Sequence, residues 1–393
     1  MTKRLYQWTL CVGFVGGLLL PTADKLLDFD PAPQLYENRV LNVLPKLEPT
    51  WDSLVSYPQR FNDYMGDNFG LRRMLVCSYY WTRLELFGNN MGDRVLIGTQ
   101  DDLFLNAGGG LADLWRAATT PYNQEQLSGW TNALLERHRY MQARGGAYLF
   151  FVIPDRQTVY PESLPARVKA SARPTRKQQL EAHLAEHAPE LATIDATRIL
   201  VEGKQAHPTY PKTNSHWNHY GAFLVYREIM NRLDERYPAL KPHELDDYDM
   251  VWKETSGQIL SEMMAMQVYL TDTDVDLIPK FPQRAKKTGE TLYPSIAGKS
   301  GRPAWIPYAL ETGNPELPRA VLLADSFESA LTPFLAEHFS RLVVYRQNEF
   351  DPEIMRIEQP DIVIQMRSEQ FCMFVNPAND PAIREAAGPG KTN

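Results

Sequence analysis

Two short segments of the chain hold side chains suited to acyl-transfer chemistry, and the first of them contains Ser326. Residues 320–327 read AVLLADSF, in which a buried apolar strand runs directly into Asp325 and Ser326. A serine at a strand exit lies at the edge of a sheet, where backbone N–H groups of the next segment can stabilise an oxyanion. Ser326 is therefore a candidate nucleophile. Serine is also a common helix cap, and this segment by itself favours that role.

The second segment, TNSHWNHYGAF at residues 213–223, places His216 just before an amphipathic helical pattern. A histidine there can take the serine proton if an acceptor holds its other ring nitrogen and so fixes the tautomer. Asn214, two residues earlier, is in place to be that acceptor. Taken alone, His216 and His219 are more typical of cap or surface histidines. Convergent triads allow any chain order of the acid-side residue, histidine and serine.

The elements that must position these residues are apolar strands that alternate with helical patterns. Continuous apolar runs of this kind are typical of strands buried on both faces of a parallel sheet. Strands are predicted at 147–154, 320–324, 342–345 and 361–365, and helices at 124–144, 218–236 and 332–339. The alternation predicts a doubly wound α/β domain whose ligand lies beyond the carboxyl ends of the strands.

Composition along the chain predicts its division into segments. Residues 28–50, rich in proline and asparagine, are expected to form a tether to a globular domain at 51–376. Within that domain, residues 238–317 break the alternation and are predicted to be an insertion of loops with a hairpin. Residues 377–393 are small and polar and predict a disordered tail.

Residues 1–27 have the pattern of an export signal. Lys3 and Arg4 precede an apolar stretch from Leu5 to Leu20. This stretch is shorter than the roughly 20 residues of a typical membrane span, and no clean cleavage site follows it. Both a signal peptide and an uncleaved signal-anchor fit the pattern, and a buried N-terminal helix is the alternative. The positive charge places the rest of the chain outside the cytoplasm.

Charge and cysteine content exclude several classes of function. The net charge of -7 comes from 48 acidic and 41 basic residues without a long like-charged run, so nucleic acid is not an expected partner. Cys77 and Cys372 are able to pair, but 3 cysteines are too few for a disulfide scaffold. No metal site or cofactor is predicted, since CxxC, HExxH, GxGxxG and GxxxxGK[ST] patterns are all missing from the sequence.

Several stretches taken in order resemble one family, the SGNH-hydrolase-like polysaccharide O-acetyltransferases of the alginate type. The matching stretches are FNDYMGDNFGLR (61–72), VLIGTQDDLFLN (95–106), FVIPDRQTVYPESLP (151–165), TNSHWNHYGAF, SGQILSEMM (256–264), LLADSF with PFLAEHF (333–339), and PDIVIQMRSE (360–369). The resemblance covers nearly all of the chain after the tether. It implies a three-layer α/β domain with a central, mostly parallel sheet, preceded by an N-terminal anchor helix.

The resemblance also implies that Ser326 is acetylated and that His216 is its base. One element departs from the family pattern, because Asn214 stands where the family has the aspartate of an Asp-x-His pair. Three explanations remain open. Asn214 is a weaker orienting group, or a carboxylate such as Asp155 or Asp325 replaces the missing acid, or the protein is a low-activity relative that mostly binds glycan. The first two together are favoured.

Further residues are expected at the substrate-binding site. Trp217 and Tyr160 are candidates for stacking against sugar rings, with a place in the core as the alternative. Arg156 and Arg367 are candidates for contacts to anionic sugars or an oxyanion, with ion pairing as the alternative. Asp325, beside the nucleophile, is a further candidate.

The expected function is acetyl transfer through an acyl-serine to sugar hydroxyls of an exported, alginate-like or cellulose-like polysaccharide. The expected location is the periplasm, with the N-terminal segment in the inner membrane. The resemblance implies a membrane-bound O-acyltransferase as the acetyl supplier, since acetyl-CoA is cytoplasmic. The alternatives are a carbohydrate esterase with the same serine and histidine, and a polysaccharide-binding assembly subunit.

Overall fold

A 7-stranded sheet forms the centre of the protein, with strand order β4-β3-β11-β9-β10-β8-β7. A computed structural model describes residues 2–27, 29, 41–85, 94–106, 121–169, 174–238, 240–295 and 305–370. From β4 to β10 the neighbouring strands are parallel, whereas β8 and β7 are antiparallel additions at one edge. The strands are β1 (Val95–Ile97), β2 (Leu103–Leu105), β3 (Ala147–Ile153), β4 (Ala192–Thr193), β5 (Tyr248–Ser256), β6 (Thr271–Pro279), β7 (Lys286–Lys287), β8 (Tyr308–Glu311), β9 (Arg319–Leu323), β10 (Arg341–Tyr345) and β11 (Ile362–Ser368).

Helices cover both faces of this sheet and also precede it. They are α1 (Thr2–Leu27), α2 (Trp51–Asn68), α3 (Arg72–Glu85), α4 (Gln124–Gln142), α5 (Arg156–Val159), α6 (Ala166–Lys169), α7 (Arg176–His187), α8 (Ala196–Gly203), α9 (His219–Asp234), α10 (Ile259–Glu262), α11 (Glu328–Ala336) and α12 (Pro352–Glu358). Short 3₁₀ turns lie at Pro161–Ser163 and Leu245–Asp247.

The core lies in two layers, one on each side of the sheet. Along β3, Phe151 and Ile153 pack with α8, α9 and α11, whereas Phe150 and Val152 pack with α4, α7 and α12. Because successive strand residues point to opposite faces, a strand covered by helices on both sides must be apolar at every position. The predicted three-layer α/β arrangement with a mostly parallel sheet is confirmed.

The predicted strands and helices are present but differ at their ends, and β4, β7 and β8 are strands of the main sheet that were not predicted. β11 continues to Ser368, past the predicted end at residue 365. α11 begins at Glu328 rather than at Thr332, and Glu328 is only 1% exposed. Both differences have one cause: an apolar pattern cannot mark a polar residue that is buried with polar partners.

Residues 238–317 contribute to the main sheet as well as forming a separate hairpin. β5 and β6 pair antiparallel outside the sheet, as the predicted hairpin requires. β8 from the same segment pairs with β10, so the segment completes the sheet edge rather than only interrupting the alternation. The division of the chain at residues 28, 51, 238 and 377 stays a prediction.

The N-terminal helix α1 is largely exposed. Within the described residues, the stretch Arg4–Leu27 is long and apolar enough to cross a membrane, a test that signal sequences also pass. The carboxylate of Asp24 accepts a hydrogen bond from the backbone N–H of Leu71 at 2.7 Å, which connects α1 to the beginning of α3. The tail at 377–393, most of the tether and Cys372 lie outside the described residues, so the pairing of Cys77 with Cys372 stays a prediction.

Gly145 ends α4 with a backbone that only glycine adopts easily, since its φ is 74°. We expect Gly145→Ala to lower the free energy of unfolding by about 1–2 kcal/mol, because a side chain is strained in the left-handed region. Urea denaturation measures this change. Gly289→Ala is the matched control, since a Cβ there meets open space without a positive φ, and it should change stability by less than about 0.5 kcal/mol. Equal effects of the two variants would contradict the explanation.

Candidate active site

Ser326 lies in the turn between β9 and α11, at the carboxyl end of the sheet. The preceding residue, Asp325, holds this turn: its carboxylate accepts the N–H of Phe327 at 3.1 Å and that of Ser368, at the end of β11, at 2.7 Å. Phe327 is the N-cap of α11 and makes no side-chain cap. The capping role that the local sequence favoured for Ser326 is therefore wrong, and its hydroxyl is available for another partner.

That partner is His216. The Nε2 atom of His216 lies 2.7 Å from the Oγ atom of Ser326. His216 belongs to the loop before α9, which begins at its N-cap Asn218 through a hydrogen bond from Gly221 N–H to the Asn218 side chain at 2.9 Å. Nε2 at this distance accepts the hydroxyl proton when Nδ1 carries the ring proton. The structure thus brings together the two residues that the sequence singled out.

Asn214 holds the other side of the imidazole. Its Oδ1 lies 3.2 Å from Nδ1 of His216 and also accepts the backbone N–H of His216 at 3.0 Å. Its Nδ2 donates in the opposite direction, to Oε1 of Gln258 at 2.6 Å. The amide therefore presents oxygen to the ring, which selects the tautomer with hydrogen on Nδ1 and an accepting Nε2. The orienting role predicted for Asn214 has the geometry that it requires.

No carboxylate replaces Asn214 by direct contact in the described part of the chain. Asp325 directs both oxygens at backbone N–H groups. The Asp155 carboxyl group accepts a hydrogen bond from Gln157 Nε2 at 3.1 Å rather than from the imidazole, and burial, together with the charges of Glu369 and Asp325, raises its pKa. Asp325 acts on His216 only through space.

Burial lowers the pKa of His216 below its ordinary value of 6.5. The negative charge of Asp325 opposes this shift, whereas the positive charge of Arg346 adds to it. Phe327 contributes to the burial, since its ring centroid lies 4.6 Å from that of the imidazole. A base must be neutral to accept a proton, and a lowered pKa keeps His216 neutral over a wider pH range.

Backbone hydrogen bonds leave one candidate donor for an oxyanion beside the nucleophile. The N–H of Phe327 donates to Asp325 Oδ1, and the N–H of Glu328 donates to the Asp325 carbonyl at 3.2 Å. Within the described residues, the N–H of Ser326 itself has no acceptor. It is therefore available to an oxygen that gains charge when Ser326 attacks a carbonyl.

Three of the residues predicted to contact substrate are buried in the protein. Trp217 is 3% exposed and donates from Nε1 to the Phe327 carbonyl at 3.0 Å, so it supports the nucleophile turn. Arg156, 2% exposed, pairs with Asp102 at 2.5 Å, and Arg367, also 2% exposed, donates to the Asn348 carbonyl. All three side chains are buried in the protein, and their direct contacts to sugars stay predictions.

The other two substrate candidates have different outcomes. Asp325 is buried and holds the nucleophile turn, so its role is internal. Tyr160 is half-buried; its hydroxyl accepts the N–H of Thr209 at 2.9 Å, and Lys204 Nζ lies 4.7 Å from its ring centroid. A sugar contact of Tyr160 stays a prediction.

Gln258 and Arg346 are site residues that the sequence did not single out. Gln258 lies in the matching stretch SGQILSEMM, directly before α10, where a polar residue is ordinary as a helix start. Arg346 follows β10 and pairs with Glu328 at 2.7 Å. Its position at the carboxyl end of a predicted strand was the one available signal, because such ends line the ligand site in this fold.

The sequence profile described as SGNH hydrolase-like domain, acetyltransferase AlgX, matches residues 95–292, about half of the chain. The match includes Asn214 and His216, while Ser326 follows it. A search of curated proteins gives no match.

Similar solved structures include PatB1 of Bacillus cereus, with a TM-score of 0.52 and 17% identity over 72% of this chain and 99% of PatB1. The O-acetyltransferase domain of Pseudomonas putida AlgJ has a TM-score of 0.44 and 15% identity over 73% of this chain and 94% of that domain. Pseudomonas aeruginosa AlgX has a TM-score of 0.45 and 16% identity over 74% of this chain and 64% of AlgX. The likeness to PatB1 shows a shared fold.

The electrostatics of the site predict a pH profile for acetyl-ester cleavage. The activity should fall on the acid side with a midpoint below pH 6.5, because His216 must lose its proton before it acts as a base. Arg346→Gln removes a positive charge that lowers this pKa, so the acid limb should move to higher pH. Measurement of kcat/KM against pH tests both statements. Arg356→Gln, an exposed arginine on α12, should leave the limb in place, and a limb unmoved by Arg346→Gln would contradict the prediction.

Proposed function

The chain belongs to the SGNH hydrolase-like acetyltransferase family of AlgX, and on this premise we propose that it is an exported polysaccharide O-acetyltransferase. The hydrogen bond of 2.7 Å between His216 Nε2 and Ser326 Oγ is the observation that carries the proposal. A serine hydroxyl is a weak nucleophile until a base takes its proton, and this contact supplies the base.

In the first half-reaction, Ser326 Oγ attacks the carbonyl carbon of an acetyl donor while its proton passes to His216 Nε2. The carbonyl oxygen becomes an oxyanion beside the N–H of Ser326. The tetrahedral intermediate then collapses, the bond to the donor breaks, and His216 returns the proton to the leaving group. The product is an acetyl ester on Ser326.

In the second half-reaction, a sugar hydroxyl takes the place of the leaving group. His216 accepts the hydroxyl proton, the sugar oxygen attacks the acetyl carbon, and the bond to Ser326 Oγ breaks. The proton returns to Ser326, so the enzyme is regenerated and the sugar leaves as an acetate ester. Water in place of the sugar gives hydrolysis, which is the esterase alternative.

Asn214 and Asp325 divide between them the work that one aspartate does in a triad. The Asn214 oxygen orients the ring but carries no full charge to stabilise the imidazolium. Asp325 supplies a negative charge through space, which favours the protonated ring. This division supports the joint explanation that the sequence favoured, in which a neutral orienting group acts with a nearby carboxylate.

The compartment and the partners follow from the N-terminal segment and the chemistry. The apolar helix α1 after Arg4 supports export, with the globular part in the periplasm and the helix in the inner membrane. Acetyl-CoA does not reach that compartment, so we assign the supply of acetyl groups to a membrane-bound O-acyltransferase. The acceptor is a polysaccharide hydroxyl.

An activated acetyl ester tests the nucleophile. After a brief reaction, intact-protein mass spectrometry should show one added acetyl group, and peptide mapping should place it on Ser326. Ser326→Ala should lose this adduct and at least about 10³-fold of the rate, in line with the loss of a triad nucleophile. Ser340→Ala, in the same domain but bonded to the Pro318 carbonyl, is the control and should react normally.

An acetylated protein with Ser326→Ala would overturn the assignment of the nucleophile. Addition of exopolysaccharide oligomers then separates transfer from hydrolysis. Acetylated oligomers in excess of free acetate support the transferase, whereas free acetate alone supports the esterase. Binding of oligomers without acetyl release from either protein would support an assembly subunit instead.

A further inference from the structure

The side-chain amide of Asn214 has two chemically different ends, and only one suits catalysis. With oxygen toward His216 the ring carries its hydrogen on Nδ1 and accepts from Ser326. With nitrogen toward the ring, the hydrogen moves to Nε2 and the serine loses its base. An aspartate has two equivalent oxygens and does not face this choice. A chain with Asn214 therefore requires something that fixes the amide.

A second amide and a carboxylate stand behind Asn214. Gln258 Oε1 accepts from Asn214 Nδ2 at 2.6 Å, and Gln258 Nε2 donates to Asp274 Oδ2 at 3.0 Å. A carboxylate offers acceptors only, so the end of Gln258 that faces Asp274 must be its NH₂ group. The oxygen of Gln258 then faces Asn214, and the oxygen of Asn214 faces His216. Each group in this row determines the orientation of the next.

The backbone supports the same orientation from the opposite side. The N–H of His216 donates to Asn214 Oδ1 at 3.0 Å, and a reversed amide would place two donors against each other there. The Gln258 backbone is fixed as well, since its N–H donates to Thr213 Oγ1 at 2.8 Å. The row from Asp274 to Ser326 thus contains no group that is free to turn without breaking a hydrogen bond.

Asp274 is one of several aspartates at alternate positions of β6, in the sequence TDTDVD. Asp272 accepts the N–H groups of Lys212 and Thr213 at 3.0 and 2.7 Å, and so holds the loop that leads to His216. Asp276 pairs with Lys253 of the neighbouring strand, and its Oδ1 lies 3.5 Å from Nδ1 of His219, the first residue of α9. β6 lies outside the main sheet, yet two of its carboxylates hold the loop of the catalytic base.

We propose that Asp274, acting through Gln258, is a positioning residue that sets the tautomer of His216. The inference rests on the proposed function, because it assigns the tautomer to the same serine and histidine. Asp274 touches neither substrate nor Ser326. Its effect passes through two amides whose orientation it dictates.

Asp274→Asn is the informative substitution. Asparagine has nearly the shape of aspartate but offers a donor, so Gln258 can turn its oxygen toward position 274 and its NH₂ group toward Asn214. We expect kcat for acetyl-ester cleavage to fall about tenfold with KM unchanged, within the range seen for residues that orient catalytic ligands. The melting temperature should stay near that of the wild type. Asp276→Asn, on the same strand, is the matched control and should keep full activity.

Rescue separates positioning from a general structural role. Asn214→Asp gives the ring an oxygen in either orientation, so adding Asp274→Asn to Asn214→Asp should cost no activity. The turned Gln258 can then donate to the introduced carboxylate without leaving an unpaired group. If Asp274→Asn still lowers kcat tenfold in the Asn214→Asp background, the proposal is overturned. The loss of activity would then not depend on which atom of residue 214 faces His216.

Nitrogen NMR of the imidazole tests the inference without an assay of activity. In the wild type the ring of His216 should show hydrogen on Nδ1, and in Asp274→Asn a substantial share should show it on Nε2. An unchanged tautomer in Asp274→Asn overturns the proposal even if the activity depends on Ser326. Conversely, the expected tautomer shift in a protein without Ser326-dependent activity would support the positioning row and contradict the proposed function.

Discussion

The hydrogen bond between His216 Nε2 and Ser326 Oγ is the interaction on which the rest of the site depends. Its two residues are 110 positions apart in the chain, so neither is placed by local structure alone. Ser326 is placed by the parallel pairing of β9 with β10 and β11 and by the Asp325 contact to Ser368. His216 is placed by the loop before α9. The fold therefore brings together the turn that follows β9 and the loop that precedes α9.

Buried charged side chains near the site make structural contacts. Asp325 holds the nucleophile turn, and the pair of Arg156 with Asp102 joins α5 to the β1–β2 hairpin. Removal of one member of such a pair leaves a buried charge without a partner, which is costly. These contacts fix side chains and turns at the carboxyl edge of the sheet, where the nucleophile and its base must stay within hydrogen-bonding distance.

An asparagine in the place that an aspartate has in a serine-histidine-aspartate triad changes what the surrounding structure must supply. The amide can orient the ring, but it must itself be oriented, and it brings no full negative charge. Asp274 on β6 orients the amide of Gln258, which orients that of Asn214. Asp325 contributes negative charge from the end of β9. Two elements on different sides of His216 thus share a task that one carboxylate performs in a serine-histidine-aspartate triad.

The sequence by itself predicted four parallel strands of the sheet, three of its helices, and Ser326 and His216 as nucleophile and base. Continuous apolar runs indicate strands that are buried on both faces, and the residues that follow the carboxyl ends of these strands are candidates for the active site. Only the tertiary structure decided the ends of β11 and α11, the burial of Trp217, Arg156 and Arg367, and the orientation of Asn214. The reason is physical: the hydrogen-bond partners of a buried polar group come from distant parts of the chain, and the local spacing of apolar residues does not identify them.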